Sequence, residues 1–371
     1  MIGIRDVAKK LNLSITTVSR ALDGYDDVAE HTRQLVVTTA QEMGYAPNRA
    51  ARQLRRQHAD TIGFILPIEQ MQLSDPFLSE FIAGIGDEAK SRNFDLLVSA
   101  AMPGSDDELA AYQRWAQGGK VDGVIIVRTR LHDSRLEYLE KQKVPFVCME
   151  RSLDTENFMG IEVDSYTAIL QLMAYLINLG HRRIAYIGGC AGLKIDYDRL
   201  SAYQDGLTQA QLVIDPELIV RGDLTLAGGS EATEKLLDLQ SPPTAIVCIN
   251  DLTAIGAMHA AHNRGLMIGV DLSVTGFDGL SDSLHSEPPL TTIAQPVYEI
   301  ARQLTKILIA EIKGEPIDEK HIKIQPKLIV RLSTGEVKKY NEIDLAGNFL
   351  YSAQESIKKI MSSSQIGRIE N

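Results

Sequence analysis

At 371 residues the chain exceeds one ordinary core, at roughly 100–200 residues per domain, so two or three domains are expected. Hydrophobic residues make up 44% and charged residues 23%, and no run approaches the roughly 20 apolar residues of a spanning helix, which excludes a transmembrane role. The opening MIGIRDVAKK meets charge at Arg5 and Asp6 before an apolar signal core can form, so no secretory signal and a cytoplasmic location are expected. Cys148, Cys190 and Cys248 are widely spaced, with no CxxC pair and no Cys/His cluster, so neither a disulfide framework nor a metal site is expected.

The net charge of −11 hides an asymmetry. Residues 1–59 carry nine Lys and Arg against six Asp and Glu, whereas residues 60–371 carry 29 against 43. Within the first part, Arg49, Arg52, Arg55 and Arg56 fall inside eight residues with no acid among them. A solvated helix face explains such a cluster as well as a nucleic-acid contact does, until its flanks are read.

Ile4, Val7, Ala8 and Leu11 form the stripe of a short amphipathic helix. Asn12 tolerates the left-handed backbone that ends it, and Ser14 is placed to cap a second helix over 15–22 whose inward residues are Val18, Ala21 and Leu22. Ile15, Thr16, Ser19 and Arg20 share the opposite face, two of them in the first turn. That is the layout of a helix-turn-helix, although ordinary helical hairpins reach it by chance. A third helix is expected from His31 to Met43, with Val36, Val37, Ala40 and Met43 inward and Gly44 as its stop. Pro47 forces extended backbone before Asn48, which can cap a short segment from Arg49 to Arg56. Eight residues make a marginal helix in water, and Leu54 within it has no apolar stripe to join.

IRDVAKKLNLSITTVSRALDG, then VAEHTRQLVVTTAQEMGYAPNRAARQLRR and TIGFILP, resemble the DNA-binding headpiece and hinge of the lac-repressor family of bacterial transcription regulators. The likeness continues through LGHRRIAYIGG (179–189), DRLSAYQDGL (198–207), INDLTAIGAM (249–258), VTGFDGL (274–280), TTIAQP (291–296) and PKLIVRLSTG (326–335), covering about 335 residues in order. Asn12 departs from the family's usual turn glycine, at little cost because asparagine reaches the same backbone region. The resemblance implies that Ile15, Thr16 and Arg20 read bases and that Ser14, Thr17 and Ser19 lie at the same DNA-facing end, Thr17 and Ser19 meeting phosphates. It further implies that Leu54 wedges into the minor groove as one of a pair, with Asn48, Arg52 and Arg55 on phosphates and groove. Chemistry agrees: arginine can bond guanine bidentately, threonine reaches either base type, and isoleucine can touch a thymine methyl.

From Thr61 the pattern changes to short apolar runs separated by amphipathic stretches: IGFILP (62–67), FDLLVSA (94–100), DGVIIV (122–127), PFVCM (145–149), RIAYIGG (183–189), TAIVCI (244–249) and SVTGFD (273–278). Apolar strands alternating with helices predict buried parallel sheets, and about 270 residues of them predict two doubly wound lobes with ligands at the strand ends. With the resemblance, the expected fold is an all-α helix-turn-helix headpiece plus an α/β two-lobed, periplasmic-binding-protein-like core. The expected boundaries are headpiece 1–47, hinge 48–60 and core 61–335, its first lobe 61–160 plus 293–320 and its second 161–292 plus 321–335.

Polar residues follow several strands: Arg151, Asp164, Asn250, Asp251 and Asp278. A single strand-end carboxylate is usually a helix cap. As a set they suggest a site, and the resemblance places a small effector between the lobes against Arg199, Asn250, Asp278 and Gln295, with Phe77 as an apolar wall and Arg151 as a further donor. Glu150 lies nearby. Arginine with carboxylate and amide partners suits sugar hydroxyls. A purine would want an aromatic sandwich, but Trp115 is remote and Gly222-Asp223-Leu224 offers no ring. No GxxxxGK[ST], HExxH or GxSxG occurs, and GIG at 84–86 lacks the third glycine of a dinucleotide fingerprint. His181 reads as structural. Neither an enzyme nor a cofactor is expected. The reading is a homodimeric, and if the tail joins dimers tetrameric, repressor of carbohydrate-use genes on a pseudo-palindromic operator. The alternative is a cytosolic sugar-binding protein whose headpiece no longer reads DNA. Residues 336–371 resemble nothing further; Leu350, Ala353, Ile357 and Ile360 fall at heptad spacing, too short a run to decide between a seam and a surface appendage.

Overall fold

The computed structural model describes residues 2–45, 58–68, 75–155 and 158–337. Asn48, Arg52, Leu54 and Arg55, and the heptad-spaced residues of the tail, lie outside the described residues.

Three helices form the headpiece: α1 (Ile4–Leu11), α2 (Ile15–Leu22) and α3 (Glu30–Glu42). Asn12 ends α1 in the left-handed region (φ 55°), and the Ser14 hydroxyl accepts from the Thr17 backbone N–H at 3.0 Å to start α2. The turn between them is therefore fixed by two short polar side chains. Val7, Ala8, Val18, Ala21, Val28, Val36 and Ala40 make the core of this small unit. Val37, expected inward, is exposed, and Thr39 takes its place. Positions 36, 39, 40 and 43 share one face of the helix, whereas 37 lies about 100° round from 36.

The core is two six-stranded sheets. In the first, β1 (Thr61–Pro67), β2 (Asp95–Ala101), β3 (Gly123–Ile126), β4 (Phe146–Met149), β5 (Gly160–Val163) and β11 (His321–Ile324) lie in the order β11-β5-β4-β3-β1-β2, all parallel. In the second, β6 (Ile184–Gly188), β7 (Ile219–Arg221), β8 (Ala245–Cys248), β9 (Ser273–Asp278), β10 (Thr291–Ala294) and β12 (Lys327–Ile329) lie in the order β12-β10-β9-β8-β6-β7, with only β12 antiparallel. Helices α4 (Pro76–Ser91) and α12 (Val297–Lys313) pack together on the first sheet. There Phe64, Phe81, Ile85, Leu304 and Leu308 are buried, each such side chain stabilising the lobe by about 1.5–3 kcal/mol.

The chain crosses between lobes three times, after β5, after β10 and after β11. This corrects the expected lobe boundaries: β5 stays in the first lobe by pairing with β4 and β11, β10 belongs to the second, and residues 321–324 return to the first. Asp164, at the first crossing, caps α7 (Ser165–Asn178) through the Thr167 N–H at 3.2 Å. Its other oxygen accepts from Gln325 at 2.9 Å, and Lys323 lies 3.1 Å away. One carboxylate thus ties the first crossover to the third. No helix among the described residues is long and apolar enough to cross a membrane.

Candidate functional site

On the headpiece, Ser14, Ile15 and Thr16 are exposed at the N-terminal end of α2, Ile15 at 45%. Thr17 is half-buried, its hydroxyl 2.8 Å from that of Ser14. Arg20 emerges one turn later, paired with Asp27 at 2.5 Å. Ser19 departs from the expectation of a phosphate contact: it is 5% exposed, with its hydroxyl turned to Asp23 at 3.4 Å. It lies one residue after buried Val18, on the side of α2 that meets the domain core.

Between the lobes a cavity of about 50 Å³ is lined from the first lobe by Asp75, Phe77, Val127, Arg128, Met149 and Glu150, and from the second by Ile195, Arg199, Leu224, Asn250, Asp278 and Gln295. Ligand pockets commonly measure roughly 300–1,000 Å³. The lobes are therefore drawn close, and a sugar-sized molecule needs them to part.

Strand ends supply most of these residues. Arg128, in the left-handed region (φ 51°) just after β3, donates to Asp75 at 2.6 Å and to the Pro67 carbonyl at 3.2 Å. Asp75 is itself the N-cap of α4, accepting from Phe77 at 3.0 Å, and the Phe77 ring stacks on Phe81 with centroids 5.9 Å apart. From α8 (Lys194–Gln209), Arg199 lays its guanidinium carbon 3.4 Å from the centroid of Phe277 and donates to the Ile249 carbonyl. Gln295 donates to Asp278 at 2.7 Å.

Two of these buried groups are incomplete: Arg199 Nε has no acceptor and Gln295 Oε1 has no donor. A buried polar atom without a partner is costly, and both residues line the cavity.

Burial dominates the electrostatics. It lifts the Asp278 carboxyl well above the usual carboxylate range, against the attraction of Arg199 and with further upward push from Asp251 and Asp75. The same cause pushes Glu150 up to about 8, against the Val163 N–H and Arg199. Both acids are thus held toward their neutral, hydroxyl-like form.

Capping was an alternative role for each strand-end residue, and the outcomes differ. Asn250 caps α10 (Asp251–Asn263), accepting from Thr253 at 3.0 Å, while its amide donates to the Leu224 carbonyl at 3.0 Å. Asp251 is structural, accepting from Thr292 at 2.5 Å and from the Leu280 N–H at 2.9 Å. Asp278 caps nothing: α11 (Ser281–His285) starts after Leu280. Asp278 instead holds a strained φ of 116°, followed by Gly279 at φ 74°, where a Cβ would lie 2.5 Å from that of Ala294. Arg151 is not brought to the cavity. It is exposed, and its Nε donates to the Thr155 carbonyl at 3.2 Å. Its neighbour Glu150, at φ 73°, turns inward instead. Arg128 and Asp75 went unnoticed in the sequence, although Arg128 follows DGVIIV as Arg151 follows PFVCME, and the strand-end rule applies equally to both.

Beside the cavity the lobes touch through backbone. Lys194 N–H donates to the Thr129 carbonyl at 2.9 Å and Leu131 N–H to the Gly192 carbonyl at 2.8 Å, an antiparallel bridge centred on Arg130 and Leu193. Behind it, Arg135 bonds Asp133 at 2.6 Å and Glu108 at 3.1 Å, and Arg130 bonds Glu108 at 2.6 Å, which stiffens the first lobe's side.

A helix-turn-helix unit joined to a two-lobed core with a polar cavity between the lobes defines a DNA-binding transcription regulator with an effector-binding domain. Family models agree: residues 3–48 match the bacterial regulatory proteins of the lacI family, and residues 173–334 match the periplasmic binding protein-like domain. The chain is 34% identical over 333 residues to the HTH-type transcriptional repressor CytR of Escherichia coli (strain K12), covering 89% of this chain and 96% of that one. It is 32% identical over 334 residues to catabolite control protein A of Priestia megaterium, covering 90% and 99%. Among solved structures, the lac repressor dimer bound to operator and the anti-inducer ONPF matches with a TM-score of 0.78 at 27% identity, covering 90% and 99%. A CelR–cellobiose complex matches at 0.69 and 28%, covering 90% and 100%. The chain belongs to the lacI family of bacterial regulatory proteins, and it is a regulator rather than an enzyme.

Proposed function

We propose that this chain is a cytoplasmic, homodimeric repressor of carbohydrate-use genes that binds a pseudo-palindromic operator and answers to a sugar-like effector held between its lobes. The observation that carries the effector reading is that Arg199 and Gln295, each with a buried polar atom lacking a partner, line one cavity between the lobes with an acid that burial keeps toward neutral. A hydroxyl group both donates and accepts, so adjacent sugar hydroxyls complete this set without adding charge to a dry site. Phe77, the one aromatic ring lining the cavity among the described residues, suits the apolar face of a sugar and gives a purine only one side of a sandwich. Two relatives' descriptions fit this reading, a cellobiose complex and an operator-bound dimer.

On the DNA side, exposed Ile15 and Thr16 and half-exposed Arg20 are assigned to base edges, Ser14 and Thr17 to the backbone beside them. Asn48, Arg52, Leu54 and Arg55 are assigned to the hinge contacts by resemblance. Thermal unfolding of the purified protein against a panel of mono- and disaccharides, sugar acids and nucleosides tests the effector class. A shift with a saccharide that Gln295→Ala abolishes supports the reading, and a shift with nucleosides alone defeats it. Gel-shift titration with the DNA upstream of its own gene tests the operator.

A further inference from the structure

Arg20 is held in place before any DNA arrives. Its Nε donates to Asp27 Oδ1 at 3.1 Å, and its Nη2 lies 2.5 Å from Asp27 Oδ2. The guanidinium carbon sits 4.6 Å from the centroid of the Tyr25 ring. The loop carrying Tyr25 and Asp27 is itself pinned: Arg33 donates to the Tyr25 carbonyl at 2.9 Å, the Val28 N–H donates to the same carbonyl at 3.2 Å, and Val28 is buried. Asp27 is therefore a fixed point rather than a drifting surface charge.

The edge that Asp27 occupies matters. The carboxylate takes the side of the guanidinium formed by Nε and Nη2. The end formed by Nη1 and Nη2 keeps two outward N–H groups, and this is the pair that meets O6 and N7 of a guanine. Both side chains are substantially exposed, at 43% and 56%, so the ion pair adds little to the stability of the fold. Its effect is on order: a long side chain already held in its docking geometry loses less freedom when it binds.

We propose that Asp27 is a positioning residue for base recognition, aiming the free end of Arg20 at a guanine in each half-site. The proposal rests on the reading of Arg20 as a base-contacting residue. A carboxylate so near the duplex also repels phosphates, whatever the sequence. Asp27 thus lowers affinity for every duplex while sharpening preference at one base, and its removal must move these two quantities in opposite directions. A residue that merely supported the fold would lower both.

The test uses the full chain as wild type, Arg20→Ala, Asp27→Ala and Asp27→Asn, each selected against a library of random duplexes and titrated on a fixed duplex lacking the selected site. Arg20→Ala is expected to erase preference at one half-site position. Asp27→Ala is expected to reduce the favoured base's advantage at that same position by about 3- to 10-fold, part of the discrimination of a bidentate contact, while binding the fixed duplex more tightly. Asp27→Asn, with one acceptor oxygen left, falls between. Wild-type or sharper preference in Asp27→Ala overturns the positioning role alone. Preference unchanged at every position in Arg20→Ala overturns the base-reading assignment, and the proposal with it.

Discussion

Gln295 and Asp278 are joined twice: the Gln295 side-chain amide donates to the Asp278 carboxyl at 2.7 Å, and its backbone N–H donates to the Asp278 carbonyl at 3.1 Å. Gln295 lies on the second crossover between lobes, so the pair fastens a connecting strand to the end of β9. Whatever bonds to Asp278 also bears on the hinge. Asp278→Ala should therefore fold and bind operator, yet lose the effector's thermal shift. The expected loss is roughly 3- to 10-fold in affinity, the scale of a hydrogen bond between uncharged groups. Calorimetric titration with the saccharide found by screening reads this directly, and wild-type affinity in the variant moves the effector site elsewhere.

Glu150 carries a pH signature. Its folded value, pushed up to about 8 by burial, exceeds the unfolded value near ~4.3. The folded chain thus keeps a proton that the unfolded chain gives up, and stability is lost as pH rises from about 4.3 through 8. Glu150→Gln, which cannot ionise, should match wild type near pH 4 and melt several degrees higher at pH 8. Melting curves across that range check it; a constant difference at all pH values contradicts the assignment.

Ser14 fixes the start of α2. Ser14→Ala removes the acceptor for the Thr17 N–H and should cost about 0.5–2 kcal/mol of headpiece stability. Hydrogen exchange of the α2 amides is the suitable measurement, because the two lobes dominate a whole-protein melt. Ser14→Asp or Ser14→Asn should restore most of the protection.

Leu54 gives a prediction on DNA that rests on the family's wedge. Leu54→Ala should leave effector affinity unchanged and weaken operator binding by roughly 1–3 kcal/mol per site. Circular-permutation gels should show a smaller bend in the same variant. Unaltered affinity together with an unaltered bend removes the wedge.

The headpiece was legible in the sequence because its signals are local: a left-handed asparagine, a serine cap and a helical stripe each act within four residues. The seven apolar runs likewise became strands. Short edge strands escaped, since β7 and β12 span three residues each and β11 alternates half-buried and exposed positions, which leaves no apolar run to see. The interior strands β5 and β10, four residues each, were also absent from those runs, and the lobe boundaries slipped at β5, β10 and β11 alike. Of the residues expected at the cleft, Arg199, Asp278, Gln295, Asn250 and Phe77 line the cavity. Arg151 was preferred to Glu150 because sequence cannot tell which of two adjacent side chains a left-handed residue turns inward. Asp75 and Arg128 form a partnership 53 residues apart, and no spacing rule reaches that far.

The bridge between Thr129–Leu131 and Gly192–Lys194 is made of peptide groups alone, and this separates two things that evolution must tune. Exchanging side chains in the cavity alters what is recognised, but the peptide N–H and C=O groups that register the two halves against each other stay the same. A receptor built this way can change its vocabulary and keep its grammar: new ligands arise by point substitution while the shape delivered to the DNA-binding end is inherited. Only a residue that removes an N–H, as proline at 131 or 194 would, edits the grammar itself.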